Sequence, residues 1–182
     1  PLWNDITLNL VEHTNSGATL ETSLSHSYFT QINKEKKLHQ KPLSFVSLTR
    51  TRDNFYVLGE KSGDYGGKLM FIPSGSLVLN DSPEISLSSL VAHYFKEEIG
   101  LDVSTANPSY KGLVFDQEFG KNCLLVVSVA VPFSSEDIAS SWRSAPDSFE
   151  FYNICFLKED DLVKQSTRML THAKLCIRYA NG

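Results

Sequence analysis

The chain has 182 residues and is 41% hydrophobic, which suits one domain of moderate size with an ordinary core. Its formal net charge is −4, so bulk electrostatics give no argument for nucleic-acid binding. No apolar run approaches the roughly 20 residues that span a bilayer, so no membrane partner is expected. No signal peptide is visible. The chain starts at Pro1 rather than Met, the expectation for an excised or processed domain.

Cys123, Cys155 and Cys176 lie far apart, each in an apolar run. That is the pattern of buried, reduced thiols, and it suits a cytoplasmic protein.

Ile6, Leu8 and Leu10 alternate with polar residues, which predicts a half-buried strand over Ile6 to Glu12. A turn follows in His13 to Thr19. Leu20, Leu24, Tyr28 and Ile32 recur at a spacing of four, which predicts a helix from Thr19 to about His39. Lys34, Lys36 and Lys37 suit its C-terminal end. Pro42 breaks the pattern. Residues 1–40 are therefore read as an N-terminal strand/helix extension, and 41–182 as the main domain.

Phe45 to Leu48 and Phe55 to Glu60 read as the strands of a hairpin turning at Arg52-Asp53-Asn54. Lys68 to Phe71 is a third strand, closed by Pro73-Ser74-Gly75. Asp81 to Ile99 is the clearest helix. Asp81 is its expected N-cap, with Glu84 completing a capping box and Gly100 at the C′ position. Leu87, Leu90, Val91, Tyr94 and Phe95 form its apolar stripe. Tyr110 to Asp116 and Cys123 to Phe133 read as strands, the second central in a sheet because it is almost wholly apolar. A short helix is expected from Ser135 to Trp142, a strand from Phe149 to Leu157, and helical character in Lys158 to Gln165. A final helix is expected from Thr167 to Tyr179, with Leu170, Ala173, Leu175 or Lys174, and Ile177 buried. The whole is α/β, with a mixed β-sheet covered by helices on both faces.

A Pro-Ser-Gly turn ahead of a helix carrying Glu97-Glu98 is a plausible place to hold a metal and a phosphate. From Gly66 to Leu101 this stretch resembles the signature of the Nudix superfamily. His93-Tyr94-Phe95-Lys96-Glu97-Glu98-Ile99-Gly100-Leu101 matches the end of that signature at Phe95, Glu97, Glu98, Gly100 and Leu101. Pro73-Ser74-Gly75 looks like the family's Pro-Gly-Gly turn, and Asp81 stands where its spaced glutamate would be. The sequence departs at His93, where the family has Arg, and at Tyr94, where it has Glu. The stretch from Asp81 to His93 is also about one helical turn longer than the family's.

The resemblance implies an α/β/α sandwich. It implies that Glu97 and Glu98 act as catalytic and metal-binding carboxylates for Mg²⁺ or Mn²⁺, hard cations that prefer oxygen. It implies that Ser74, Gly75, His93 and Tyr94 line the ligand site. Tyr94 is the departure with chemical weight. A phenol with a pKa near 10 is neutral at pH 7 and binds Mg²⁺ poorly. His93 is placed to partner Glu97 one turn later on the helix. Asp116, Glu118, Glu136, Asp137 and Glu150 are further carboxylates that could complete the set. Tyr65, Phe115, Phe119 and Trp142 are aromatics that could stack on a base, although core packing is the commoner role for Phe.

Three functions follow as expectations. The first is a domain that binds a nucleotide or nucleoside-diphosphate compound, with hydrolysis weakened or lost, serving as a sensor or interaction module. The second is an active Mg²⁺-dependent pyrophosphohydrolase. The third is a protein-interaction domain with no small-molecule site, reaching a partner protein or a second copy through the N-terminal extension.

Overall fold

In the computed structural model, the described residues are 7–14, 17–23, 43–63, 66–77, 86–115 and 123–180. The elements are β1 (Thr7–Thr14), β2 (Gly17–Ser23), β3 (Leu43–Arg50), β4 (Tyr56–Lys61), β5 (Leu69–Phe71), β6 (Ser74–Ser76), α1 (Leu87–Glu98), β7 (Ser109–Phe115), β8 (Cys123–Ala130), α2 (Ser135–Trp142), β9 (Phe151–Leu157), α3 (Glu159–Lys164) and α4 (Thr171–Ala180).

β1 and β2 pair antiparallel as a separate two-stranded sheet. This corrects the expected helix at its start, because Gly17–Ser23 is strand. Leu20 pairs with Leu10 across the ladder, so the alternation in β1 has a partner to match. That pairing overrides the four-residue spacing. The rest of the expected helix lies outside the described residues.

The main sheet has seven strands and is mixed. β3 runs parallel to β8 over its whole length, and β8 lies between β3 and β7, central as its apolar sequence requires. β3 and β4 do turn back on each other, but they share only the Arg50–Tyr56 pair. Beyond that corner the strands part. β3 takes β6 as its neighbour, and β4 lies between β5 and β9. The expected hairpin is thus a hinge point between two groups of strands rather than a continuous ladder.

Both faces of the sheet are buried. On one face Leu43, Phe45, Cys123, Val127 and Val129 pack against Val91, Phe95 and Ile99 of the α1 region and Ile138 of α2. On the other, Val46, Leu48, Leu124 and Val126 pack against Leu162 of α3 and Ala173, Cys176 and Ile177 of α4. This is the expected α/β/α sandwich. On α4 the buried side carries Cys176, whereas Lys174 and Leu175 are exposed, which corrects the expected stripe. Ala173, Cys176 and Ile177 keep helical spacing on one side, and Leu175 falls outside that arc.

α2 is held at its start by a capping box. The Ser134 side chain accepts from the Asp137 N–H, and the Asp137 carboxylate accepts from the Ser134 N–H at 2.8 Å. Asp53, in the β3–β4 turn, accepts from the Ser135 N–H at 2.9 Å and from its hydroxyl at 2.6 Å. The turn therefore reaches across to fix the end of a helix far along the chain.

Candidate functional site

α1 begins later than expected. Its N-cap is Ser86, whose hydroxyl accepts from the Ser89 N–H, rather than Asp81. Asp81 and Glu84 lie outside the described residues. The helix ends as expected. Gly100 adopts φ +81°, the left-handed conformation of a C′ glycine, and its N–H reaches the Phe95 and Lys96 carbonyls at 3.1 Å.

The buried face of α1 carries Val91, Phe95 and Glu98. Those residues are four and three apart, so they share one side of the helix. Glu98 is thus drawn into the interior with the apolar stripe, while Glu97, the residue before it, is partly exposed. Glu98 is only 4% exposed. Its Oε1 accepts from the Ser74 backbone N–H at 3.1 Å. Its Oε2 is buried and has no hydrogen-bond partner among the described residues. Burial pushes the Glu98 carboxyl well above the ordinary carboxylate range. The Ser74 N–H pulls against this, Glu150 adds to it, Lys61 opposes it and Asp147 adds to it again.

β6 places the turn that Glu98 holds. Its register on β3 sets Gly75 opposite Phe45, with Ser74 opposite Val46 and Ser76 opposite Ser44. The Ser47 N–H donates to the Pro73 carbonyl at 2.9 Å, fixing the turn from the other side. The Tyr94 ring lies over this strand. It packs on Phe45 with centroids 4.9 Å apart. Its hydroxyl donates to the Ser76 carbonyl. A Cβ on residue 75 would lie 2.2 Å from the Tyr94 ring, so a side chain there would force the ring to move. The glycine is required by the tyrosine.

His93 is exposed, and its Nε2 lies 3.3 Å from Glu97 Oε2. The expected pairing one turn along the helix is present. The sequence-derived residues Ser74, Gly75, Tyr94 and Glu98 are therefore brought together, and His93 and Glu97 form a second pair on the outer side of the same helix.

Two further residues join the end of α1. The Asp147 N–H donates to the Glu97 carbonyl at 3.0 Å, which docks the segment before β9 against the helix. Burial first, then Glu150, pushes the Asp147 carboxyl up, while His93 pulls it down. Glu150, expected as one possible extra carboxylate, reaches Lys61 at the end of β4, with Nζ 2.5 Å from its Oε2. Lys61 and Asp147 carry no motif. Only the pairing of β4 with β9 brings them here. Of the other expected carboxylates, Asp137 is occupied in capping α2, Glu136 is exposed in that helix's first turn, and Asp116 and Glu118 lie outside the described residues. Phe115 is exposed at the end of β7, and Trp142 is partly buried against the core under α1. Tyr65 and Phe119 lie outside the described residues.

The donor set fits a Mg²⁺ or Mn²⁺ ion poorly. Such an ion needs several oxygen ligands in near-octahedral array. Here Glu98 offers one uncommitted oxygen, Tyr94 is a phenol already hydrogen-bonded, and Glu97 is turned to His93. Among the described residues, no three of His, Cys, Asp and Glu are grouped to hold a metal. What the arrangement does chemically is fasten the Pro73-Ser74-Gly75 turn to α1 at two points.

No protein-family model and no curated protein matches the chain. Solved structures do. The MutT protein from Methanosarcina mazei Go1 is 18% identical with a TM-score of 0.56, over 79% of this chain and 96% of that one. The NUDIX domain of Shewanella oneidensis NrtR, complexed with ADP ribose, is 12% identical with a TM-score of 0.51, over 87% and 97%. The C-terminal domain of mouse MUTYH, in complex with human PCNA, is 16% identical with a TM-score of 0.51, over 78% and 88%. These likenesses define the fold, which is that of the Nudix proteins, as the signature-like stretch implies. No helix among the described residues is long and apolar enough to cross a membrane.

Proposed function

We propose that this chain is a Nudix-fold domain that binds a nucleotide or nucleoside-diphosphate compound and has weakened or lost hydrolysis. The observation that carries the reading is the place of Tyr94. It sits where the resembled signature has its first helical glutamate, and its ring and hydroxyl are committed to Phe45, Gly75 and Ser76. A site with one carboxylate replaced by a neutral phenol loses charge for a metal and a candidate activator of water. The Ser74–Gly75 turn and His93 remain as groups for recognising a ligand. The ADP ribose bound to the NrtR NUDIX domain is the ligand class to try first.

A second reading is an active Mg²⁺-dependent hydrolase. The unpartnered, buried Oε2 of Glu98 favours it. In that case Glu98 and Glu97 would hold the ion with a carboxylate from elsewhere in the chain. A role as a protein-interaction module is compatible with the first reading, and the MUTYH domain bound to PCNA is a neighbour with a protein partner. A panel of ADP-ribose, dinucleotides and nucleoside triphosphates separates the readings, with thermal shift and phosphate release both measured. Binding without release supports the first. Mg²⁺-dependent release supports the second. No shift with any compound removes both.

A further inference from the structure

We propose that β9 is an interface strand, whose open edge pairs antiparallel with β9 of a second copy of this chain and joins the two sheets into one.

Among the described residues, β9 pairs with β4 alone, and no backbone group hydrogen-bonds to its outer edge. An open edge is a row of unpaired N–H and C=O groups, which natural sheets guard by shortness, charge, proline or irregularity. The other edges of this sheet are guarded. β5 and β6 are only three residues each, and Leu69 of β5 is bridged by Met169. β7 carries Lys111 and an irregularity between Tyr110 and Gly112. β9 reads Phe-Tyr-Asn-Ile-Cys-Phe-Leu, with no charge, proline or glycine. Its register on β4 skips Tyr152, and residues 153–157 then pair in regular order. Both of its faces are already used. Ile154 and Phe156 pack on the α1 side of the sheet, and Cys155 and Leu157 on the α4 side. What stays open is the edge itself and the start of the strand. There stand Phe149 and Tyr152, at 74% and 78% the most exposed large hydrophobic residues among those described. Single exposed apolar residues are ordinary, but two together beside an unguarded edge mark a contact surface.

The charge pattern selects a second copy as the occupant. A strand without charge meets itself with no like charges opposed. Two-fold pairing keeps each side chain on its own face of the sheet when odd residues face odd and even face even. With Ile154 on the axis, Asn153 faces Cys155 of the second copy, and Tyr152 faces its Phe156. Glu150 and Lys158, the charges that bracket the strand, then fall together at each end with opposite signs. With Cys155 on the axis, Glu150 would instead fall beside Asp160, and like charges would oppose the pairing. Glu150 is already held by Lys61, with Nζ 2.5 Å from its Oε2, so it brings no unbalanced negative charge to the edge.

The test is sedimentation velocity on the whole chain across a range of concentrations, with circular dichroism to check the fold. The wild type is expected to pass from monomer to dimer as concentration rises. Asn153→Lys adds a charge to the open edge of both copies and is expected to weaken the dimer by at least about tenfold. Asn153→Cys is expected to give a disulfide-linked dimer on mild oxidation, bonded to Cys155 of the second copy, and adding Cys155→Ser should abolish the link. Peptide mass analysis identifies the bond. A wild type that stays monomeric at every concentration would overturn the inference. So would a dimer that a folded Asn153→Lys leaves unchanged, which is the result expected if the copies meet through residues 1–40. If Asn153→Lys does not fold, the cross-link decides, and a dimer without the bond from residue 153 to Cys155 counts against β9.

Discussion

A Cβ on Gly75 would lie 2.2 Å from Cε1 of Tyr94, so the two residues occupy one space between β6 and α1. Gly75→Ala is therefore expected to force the Tyr94 ring away from Phe45 and to destabilise the fold by about 1–3 kcal/mol. The cost should shrink sharply in a Tyr94→Ala background, with a coupling of about 0.5–3 kcal/mol. Urea denaturation of the four proteins measures this cycle. Additive effects would mean that the ring does not hold this position in solution.

Tyr94 can be separated into its hydroxyl and its lost carboxylate. Tyr94→Phe removes the donor to the Ser76 carbonyl and should cost about 1 kcal/mol in denaturation. Tyr94→Glu restores the charge that the resembled signature has there. It is expected to raise Mn²⁺ affinity by about tenfold or more, at some cost in packing on Phe45. An unchanged affinity counts against an inherited metal site at this place.

The fold was legible where apolar patterning left little choice. The all-apolar run from Cys123 predicts the central strand, and the capped stretch from Ser135 predicts α2. The sequence misled where two periods compete. Leu20 fits a helical spacing with Leu24 and also fits opposite Leu10, and only the partner strand decides. The site was half legible. The doublet Glu97-Glu98 looks like one feature, yet Glu98 continues the Val91–Phe95 stripe and goes inward. That phase was readable and separates the two roles. Lys61 and Asp147 were not readable, since Asp147 meets α1 and Lys61 meets Glu150 only through the pairing of β4 with β9.

Acid stability should report the contact between Asp53 and Ser135. The Ser135 hydroxyl first, and then Thr51, hold the Asp53 carboxyl at about 2, below its ordinary 3.8. Asp137 is lowered too, chiefly by the Ser134 hydroxyl. A carboxyl with a depressed folded pKa adds stability that is present in full above the unfolded pKa. It is lost as pH falls through the folded value. For Asp53 that window runs from about 4 down to about 2. Asp53→Asn should lower the melting temperature near neutral pH, and the gap to wild type should close across this window. A gap that stays constant to pH 2 would show that the carboxylate charge is not what matters.

The thiols offer a check on the core. Burial raises the Cys176 thiol to about 12 and also raises Cys155, which is half-buried. Cys176 lies on the buried side of α4 and should not react with a thiol reagent in the native protein, while all three cysteines should react in guanidinium. Labelling followed by peptide mass analysis identifies the sites. Rapid native labelling of Cys176 would contradict the packing of α4 on the sheet.

On the proposed function, the α1 end retains the frame of a nucleotide site without its hydrolysis. One calorimetric titration of ADP-ribose into the wild type, with product release followed in the same samples with Mg²⁺ and with chelator, tests it most directly. Saturable binding that persists in chelator is expected, with release no faster than in buffer alone. Mg²⁺-dependent release that disappears in Glu98→Gln would contradict it.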